Sequence, residues 1–368
     1  MTQKNNKPKE RKMTEGGQVL DQYTDVVYKD GKKHISVALQ GGGAHGAFSW
    51  GVLDRLLQEK DLVIEGVSGT SAGGMNAMAV AQGVMEGGNE GARALMDKYW
   101  KINSEKGKNS IFNPGVLDVL AGKYTMHNSP GFLFFDFISK VFSPYQLNPS
   151  GANPLKEVCE ELFDFEKLRD FEDVKVFLAA THVFSGKLKI FSNKDLCIEA
   201  LLASACLPTV FQAVMVKGEY YWDGGFVGNP AIYPLIYECK TPDIMLIKLN
   251  PTQRGRLPVT AAEISDRLNE ITNNTSIMRE MRSMYFLTKL IDEGYVKPGT
   301  LKRCFVHLIE DEAAFVDPDL GWSSKLNTNW DFLMYLKDKG RIAGDKWLEK
   351  NWNNIGVKTT TDIVERFV

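Results

Sequence analysis

A chain of 368 residues with 43% hydrophobic and 24% charged residues and a formal charge of −2 has the makeup of a globular protein long enough for one large sheet. So small a net charge excludes a general affinity for polyanions, and nucleic acid is not an expected partner. No run reaches the roughly 18 apolar residues of a spanning helix, no apolar segment of signal-peptide length follows the basic start, and the five scattered cysteines lack a Cys-x-x-Cys pair.

These features make a cytoplasmic location, or one that reaches membranes from outside, the expectation, and they call for no metal or other cofactor.

In chain order, residues 1–30 are lysine-rich and polar and read as a tail. Residues 34–40 predict a short strand, a glycine cluster follows, and residues 47–60 place Leu53, Leu56 and Leu57 at helical spacing. Residues 62–67 predict a second strand that leads through Gly69 into an alanine- and methionine-rich helix over 72–82. This βαβα opening belongs to a parallel sheet with both faces covered. Residues 113–149 are broken by Pro114, Pro130, Pro144 and Pro149 and carry Phe132, Leu133, Phe134, Phe135, Phe137, Ile138, Val141 and Phe142. They predict an insertion with one or two short helices, either ordinary core or a cap that lines an acyl pocket or meets lipid. Further strands are expected at 174–180, 187–191, 219–222, 244–249 and 304–309, a long helix at 261–292 and closing helices within 327–352. The resulting expectation is a catalytic domain over 31–312, with insertions at 113–150 and 256–300, and C-terminal helices over 313–368 packed on it.

Three motifs carry chemistry. Gly69-Thr70-Ser71-Ala72-Gly73 is a G-x-S-x-G sequence between an apolar strand and an apolar helix. A nucleophilic serine needs such a sharp strand-to-helix turn so that its hydroxyl projects from the sheet, and flanking glycines remove side chains that would collide there. Gly41-Gly42-Gly43-Ala44-His45-Gly46 follows the first strand, and a glycine turn there lets peptide N–H groups approach the oxyanion formed in ester hydrolysis. The same letters fit the dinucleotide fingerprint G-x-G-x-x-G, with Glu65 nineteen residues beyond Gly46 as the ribose acid. That rival leaves the other two motifs without a role. Asp223-Gly224-Gly225 leaves a strand into a turn; alone it would be an ordinary hairpin or loop, but a serine needs a base and this acid is placed to reach one.

Together the three motifs resemble the patatin-like phospholipase family from about residue 34 to 234, and Ala203-Ser204-Ala205-Cys206-Leu207-Pro208-Thr209-Val210-Phe211 is similar to a segment that family places near its active site. The resemblance implies a three-layer α/β/α fold with a central, mostly parallel sheet and added C-terminal helices. It also implies a Ser-Asp dyad of Ser71 and Asp223 without histidine, with the backbone of Gly41, Gly42 and Gly43 as oxyanion donors and Gly46, Gly69, Gly73, Gly224 and Gly225 in support. One departure is His45, where many members carry Arg or Lys. An imidazole is charged only below about pH 6.5, so His45 either gives partial cationic help or is a packed, hydrogen-bonded residue.

The implied activity is hydrolysis of carboxylic esters of lipids, whether phospholipids, lysophospholipids or neutral esters, with an intracellular polyhydroxyalkanoate depolymerase as the alternative. A Ser71, Asp223, His307 triad is the rival mechanism, although His307 sits in an apolar strand-like run. A dinucleotide-binding protein and a non-catalytic lipid-binding module are the rivals of another class. The substrates that the resemblance implies leave contact at a membrane or storage-granule surface open, and oligomeric state is open.

Overall fold

The structure, a computed structural model, describes residues 28–108, 114, 124–126, 129–316 and 320–368. Its strands are β1 (Lys33–Leu39), β2 (Leu62–Gly69), β3 (Lys175–His182), β4 (Leu188–Ser192), β5 (Val214–Val216), β6 (Glu219–Asp223), β7 (Asp243–Ile247) and β8 (Phe305–Ile309). They form one sheet in the order β5-β6-β3-β2-β1-β7-β8, with β4 added beside β3. The ladders β1 with β2, β2 with β3, β1 with β7 and β7 with β8 are parallel, and β4, β5 and β6 pair antiparallel.

Central β1 is buried continuously from Ile35 to Leu39, as a strand covered on both faces must be. Its side chains nonetheless divide by face. Ile35, Val37 and Leu39 join the larger core with α1 (Gly46–Leu56) and α2 (Ala72–Gly107), whereas Ala38 faces a second core with Ile244, Leu246, Ile277 and Met281. The layers are therefore α/β/α.

After α2 the chain continues through α3 (Pro130–Ser139), α4 (Pro144–Leu147), α5 (Pro154–Leu162), α6 (Phe165–Asp170), α7 (Ile198–Ser204) and α8 (Tyr233–Glu238). It ends through α9 (Ala261–Asp292), α10 (Glu312–Val316), α11 (Trp330–Asn351) and α12 (Ile363–Phe367). The helix predicted over 72–82 runs on to Gly107 through a kink at Gly87 and Gly88, because Leu95, Met96, Tyr99 and Trp100 beyond the kink are buried against the same core. Neither α7 nor β5 was expected, since each is a short apolar run without a repeat long enough to show its period.

Of the expected tail, residues 1–27 lie outside the described residues; Tyr28 stacks on His34 and donates its hydroxyl to Glu65 Oε2 at 2.7 Å. Of the 113–150 insertion, residues 113, 115–123 and 127–128 lie outside as well. Each of its described helices starts on a proline, which fits the first turn because the missing N–H would be unbonded there. Its apolar cluster is not core: Phe132 is buried, but Phe134, Phe137 and Val141 are 62%, 67% and 61% exposed. Among the described residues no helix is long and apolar enough to cross a membrane.

Candidate active site

β2 ends at Gly69 and α2 begins at Ala72, so Ser71 is the corner between them. Its backbone has φ 56° and ψ −123°, a conformation costly for a residue with a Cβ and typical of strained functional turns. The corner exists because its flanks are glycine: a Cβ on Gly69 would stand 2.3 Å from Gly73 O, and one on Gly73 would stand 2.3 Å from Leu39 O. Polar contacts then hold it. Ser71 N–H is shared between Ser204 O and Ser204 Oγ, each at 3.1 Å, and Thr70 Oγ1 donates to Gly228 O at 2.6 Å.

Sheet register brings Asp223 to the same level. Gly69 pairs with Leu178 of β3, whereas Asp223, at the end of antiparallel β6, pairs with Ala180, two residues farther along β3. Its backbone is fixed by Asp223 N donating to Cys206 O at 2.8 Å and by Thr181 Oγ1 donating to Asp223 O at 2.7 Å. Segment 203–208 thus grips both residues, Ser71 through Ser204 and Asp223 through Cys206.

The Asp223 carboxyl is buried. Oδ1 accepts from Gly225 N at 2.7 Å, and Oδ2 has no hydrogen-bond partner. Burial pushes the carboxyl up to about 6, against the opposing pull of the Gly225 N–H, the Ser71 hydroxyl and the charge of Lys325. The Ser71 hydroxyl is thus among the groups that favour the ionised carboxyl, although it makes no hydrogen bond of full geometry with it. Apo sites commonly hold such pairs loosely.

In the glycine loop, Gly41 N–H donates to Asn229 Oδ1 at 2.6 Å, so it is not free for an oxyanion and the expectation of three donors narrows. Gly42 and Gly43 N–H make no hydrogen bond among the described residues. Gly46 opens α1 against Ala72 and Trp100, and its carbonyl accepts from Asn76 Nδ2 at 3.0 Å.

His45 resolves in favour of packing. It is buried, lies 5.2 Å from the Phe315 ring, and its Nε2 is 2.8 Å from Ser324 Oγ. Because Ser324 Oγ itself donates to Gly321 O at 2.8 Å, it accepts from the imidazole. Burial, and then the nearby charge of Lys325, hold His45 well below the ordinary imidazole range, so it is neutral at physiological pH.

Gly41, Gly42, Gly43, Ser71, Asp223 and Gly225 all line one cavity of about 90 Å³. Its remaining wall includes Leu207, which lies in the segment expected near the active site, and Asn229, Asn269, Asn273, Trp322 and Lys325, none of which sequence reasoning named as site residues. Asn269 and Asn273, four apart on a helix, were a faint signal; Lys325 gave none, since it sits in no motif. Gly224 lies beside the cavity, where a Cβ would stand 2.4 Å from Ala179 O.

Two alternative residues are elsewhere. His307 is fully buried, with Nε2 2.8 Å from Asp243 Oδ1 and Nδ1 2.9 Å from Thr360 Oγ1, and it does not line this cavity. Glu65, in the middle of β2, is committed to the Tyr28 hydroxyl and to the N–H groups of Lys240 and Thr241, so it is no ribose ligand of the glycine loop.

Comparison with solved structures finds VipD from Legionella pneumophila, at 17% identity and a TM-score of 0.34, over 92% of this chain and 72% of that one. It also finds ExoU, solved with SpcU from the type III secretion system of Pseudomonas aeruginosa, at 14% identity and a TM-score of 0.33, over 87% of this chain and 53% of that one. No curated protein sequence matches. Residues 37–236 match the patatin-like phospholipase family, a span that takes in the glycine loop, the Ser71 corner and the Asp223 turn. With more than half of its length in that match, the chain belongs to the patatin-like phospholipase family and is a lipid acyl hydrolase.

Proposed function

We propose that the protein hydrolyses carboxylic esters of lipids with Ser71 as nucleophile and Asp223 as its base. The observation that carries this reading is the convergence of a strained serine and a buried carboxylate, distant in sequence, on one small cavity whose other wall is the glycine loop. The unpartnered Asp223 Oδ2 is the oxygen available to the serine proton.

In the first half-reaction Asp223 takes the Ser71 proton while Oγ adds to the ester carbonyl. The negative charge moves to the carbonyl oxygen, for which the N–H groups of Gly42 and Gly43 are the donors in this reading. Collapse of the tetrahedral species breaks the ester bond, and protonated Asp223 returns its proton to the leaving alcohol. Water then attacks the acyl-serine, again giving up a proton to Asp223, and the fatty acid leaves with Ser71 restored. A base with a pKa of about 6 suits this cycle, being mostly ionised at neutral pH yet more basic than an exposed carboxylate.

The test is labelling of Ser71 by a fluorophosphonate together with acid release from defined phospholipids and, in parallel, from short hydroxybutyrate oligomers, identified by mass spectrometry. Ser71→Ala and Asp223→Asn are expected to lose activity by at least about a thousandfold. Labelling of any other serine, or full turnover in Asp223→Asn, would refute the assignment, and the preferred acid defines the substrate class.

A further inference from the structure

The cavity around Ser71 contains one basic side chain among the described residues, Lys325, and it comes from outside the span that matches the family. Its backbone packs directly on the glycine loop, since a Cβ on Gly43 would stand 2.2 Å from Lys325 O. The side chain is buried, and its Nζ donates to Asn250 Oδ1 at 2.7 Å and Asn269 Oδ1 at 2.6 Å. Both acceptors are neutral amides, so the ammonium is fixed in position without being cancelled by a contact ion pair.

The surrounding polar chain reaches the loop itself. Asn273 Nδ2 donates to Asn269 Oδ1 at 3.2 Å, Asn229 Nδ2 donates to Asn273 Oδ1 at 2.8 Å, and Asn229 Oδ1 receives Gly41 N–H. Asn269 and Asn273 of α9, with Asn229, therefore connect Lys325 to the turn that faces the serine. A buried cation with neutral partners is expensive to maintain.

Resting on the Ser71 and Asp223 reading, we propose that Lys325 is an electrostatic positioning residue of this site, whose fixed ammonium supplies the positive charge that the glycine loop lacks. During acylation negative charge passes from the Asp223 carboxylate to the oxyanion, and both lie on the walls of the cavity that Lys325 lines. A preoriented cation there favours the charged species without reorganising as the charge moves. His45, the cation candidate of the loop, is neutral and cannot serve.

Charge coupling agrees with this placement. Burial lowers the ammonium to about 8, opposed by Glu270, Asp266 and Asp223. Glu270 is itself bonded to Arg254 at 3.0 Å and Arg267 at 3.0 Å, Asp266 Oδ1 accepts from Trp322 N at 2.7 Å, and His45 on the loop side is uncharged, while Asp223 shares the cavity wall with Lys325. The wild-type rate should therefore fall as pH rises through about 8.

The experiment measures kcat, KM and the pH profile on a short-chain nitrophenyl ester for wild type, Lys325→Met, Asn269→Asp and Ser71→Ala. Lys325→Met should lower kcat by about tenfold or more, less than the hundredfold to thousandfold of a lost direct donor, with KM little changed. Its acid limb should move to higher pH, because Asp223 loses a neighbour that favours its charge, and its alkaline decline should vanish. A folded Lys325→Met with wild-type kcat and both limbs unmoved overturns the proposal. If that variant does not fold, the near-isosteric Asn269→Asp decides: an added carboxylate should hold the ammonium protonated and shift the alkaline limb upward, and an unmoved limb overturns the proposal. Activity surviving in Ser71→Ala would instead overturn the dyad reading on which it stands.

Discussion

Asp223 must be charged to take a proton from Ser71, yet it is buried where charge is costly, and that conflict has a measurable sign. Its folded pKa is about 6 against 3.8 for the free side chain, so the raised value penalises folding only where the carboxyl ionises. The penalty is absent below the unfolded value, grows through the interval and is complete above the folded one. Removing the charge with Asp223→Asn should therefore abolish turnover while raising thermal stability at pH 8, by up to about 3 kcal/mol, with the gain gone at pH 4. Thermal melts of the two proteins at both pH values check it, and a variant less stable at pH 8 would show that the carboxyl is held by contacts stronger than its desolvation. Residues of this kind were legible from sequence because Ser71 and Asp223 each sit in a local signature of glycine and turn chemistry. Lys325 and Asn229 were not, because their roles come from contacts with chain more than 50 residues away, from Lys325 to Asn269 and from Asn229 to Gly41.

Whole elements were legible where a period ran long enough to see. The helix over 261–292 was predicted at its observed bounds, and the central strands within a residue or two, because burial on both faces makes them continuous apolar runs. The extent of α2 was missed because the glycine-rich kink at Gly87 and Gly88 breaks the pattern while packing continues it. Helix α3 is the case where composition and burial part company. Its apolar residues would be core by pattern, but Phe134 and Phe137 stand in solvent. The segment that follows is tied to the cavity wall: Ala213 N donates to Tyr145 Oη at 3.2 Å and Gln212 Nε2 donates to Asn148 O at 2.7 Å, on the loop that begins at Leu207. Where such rings enter a lipid surface, each is worth roughly 1.5–3 kcal/mol on full burial. Phe134→Asp combined with Phe137→Asp should leave hydrolysis of a dissolved short-chain ester within about twofold and reduce hydrolysis of phosphatidylcholine vesicles by about tenfold or more. Equal loss on both substrates would assign the rings to the fold or the pocket instead.

Across the whole molecule, the interactions that fasten the chain together and those proposed to act on substrate occupy different parts of the sheet. Ser71, the glycine loop and Asp223 gather beyond the carboxyl ends of β1 and β2, where open α/β sheets bind ligands. His307 lies within β8, and its partner Asp243 at the start of β7 also accepts from Gly356 N at 2.8 Å. Thr360 completes the clasp, with its hydroxyl on His307 and its N–H on Val306 O at 3.0 Å. This histidine therefore ties two strands at the sheet edge to the last residues of the chain. His307→Ala would open a cavity and leave a buried carboxylate with one partner fewer, a loss of about 2–4 kcal/mol. His307 does not line the Ser71 cavity, so kcat per fluorophosphonate-labelled serine should stay within about twofold while the melting temperature drops by several degrees. A folded His307→Ala that labels poorly would instead couple this clasp to the nucleophile and reinstate a histidine in the mechanism. Full labelling with lowered stability would place the dyad's independence from histidine on the same footing as its geometry.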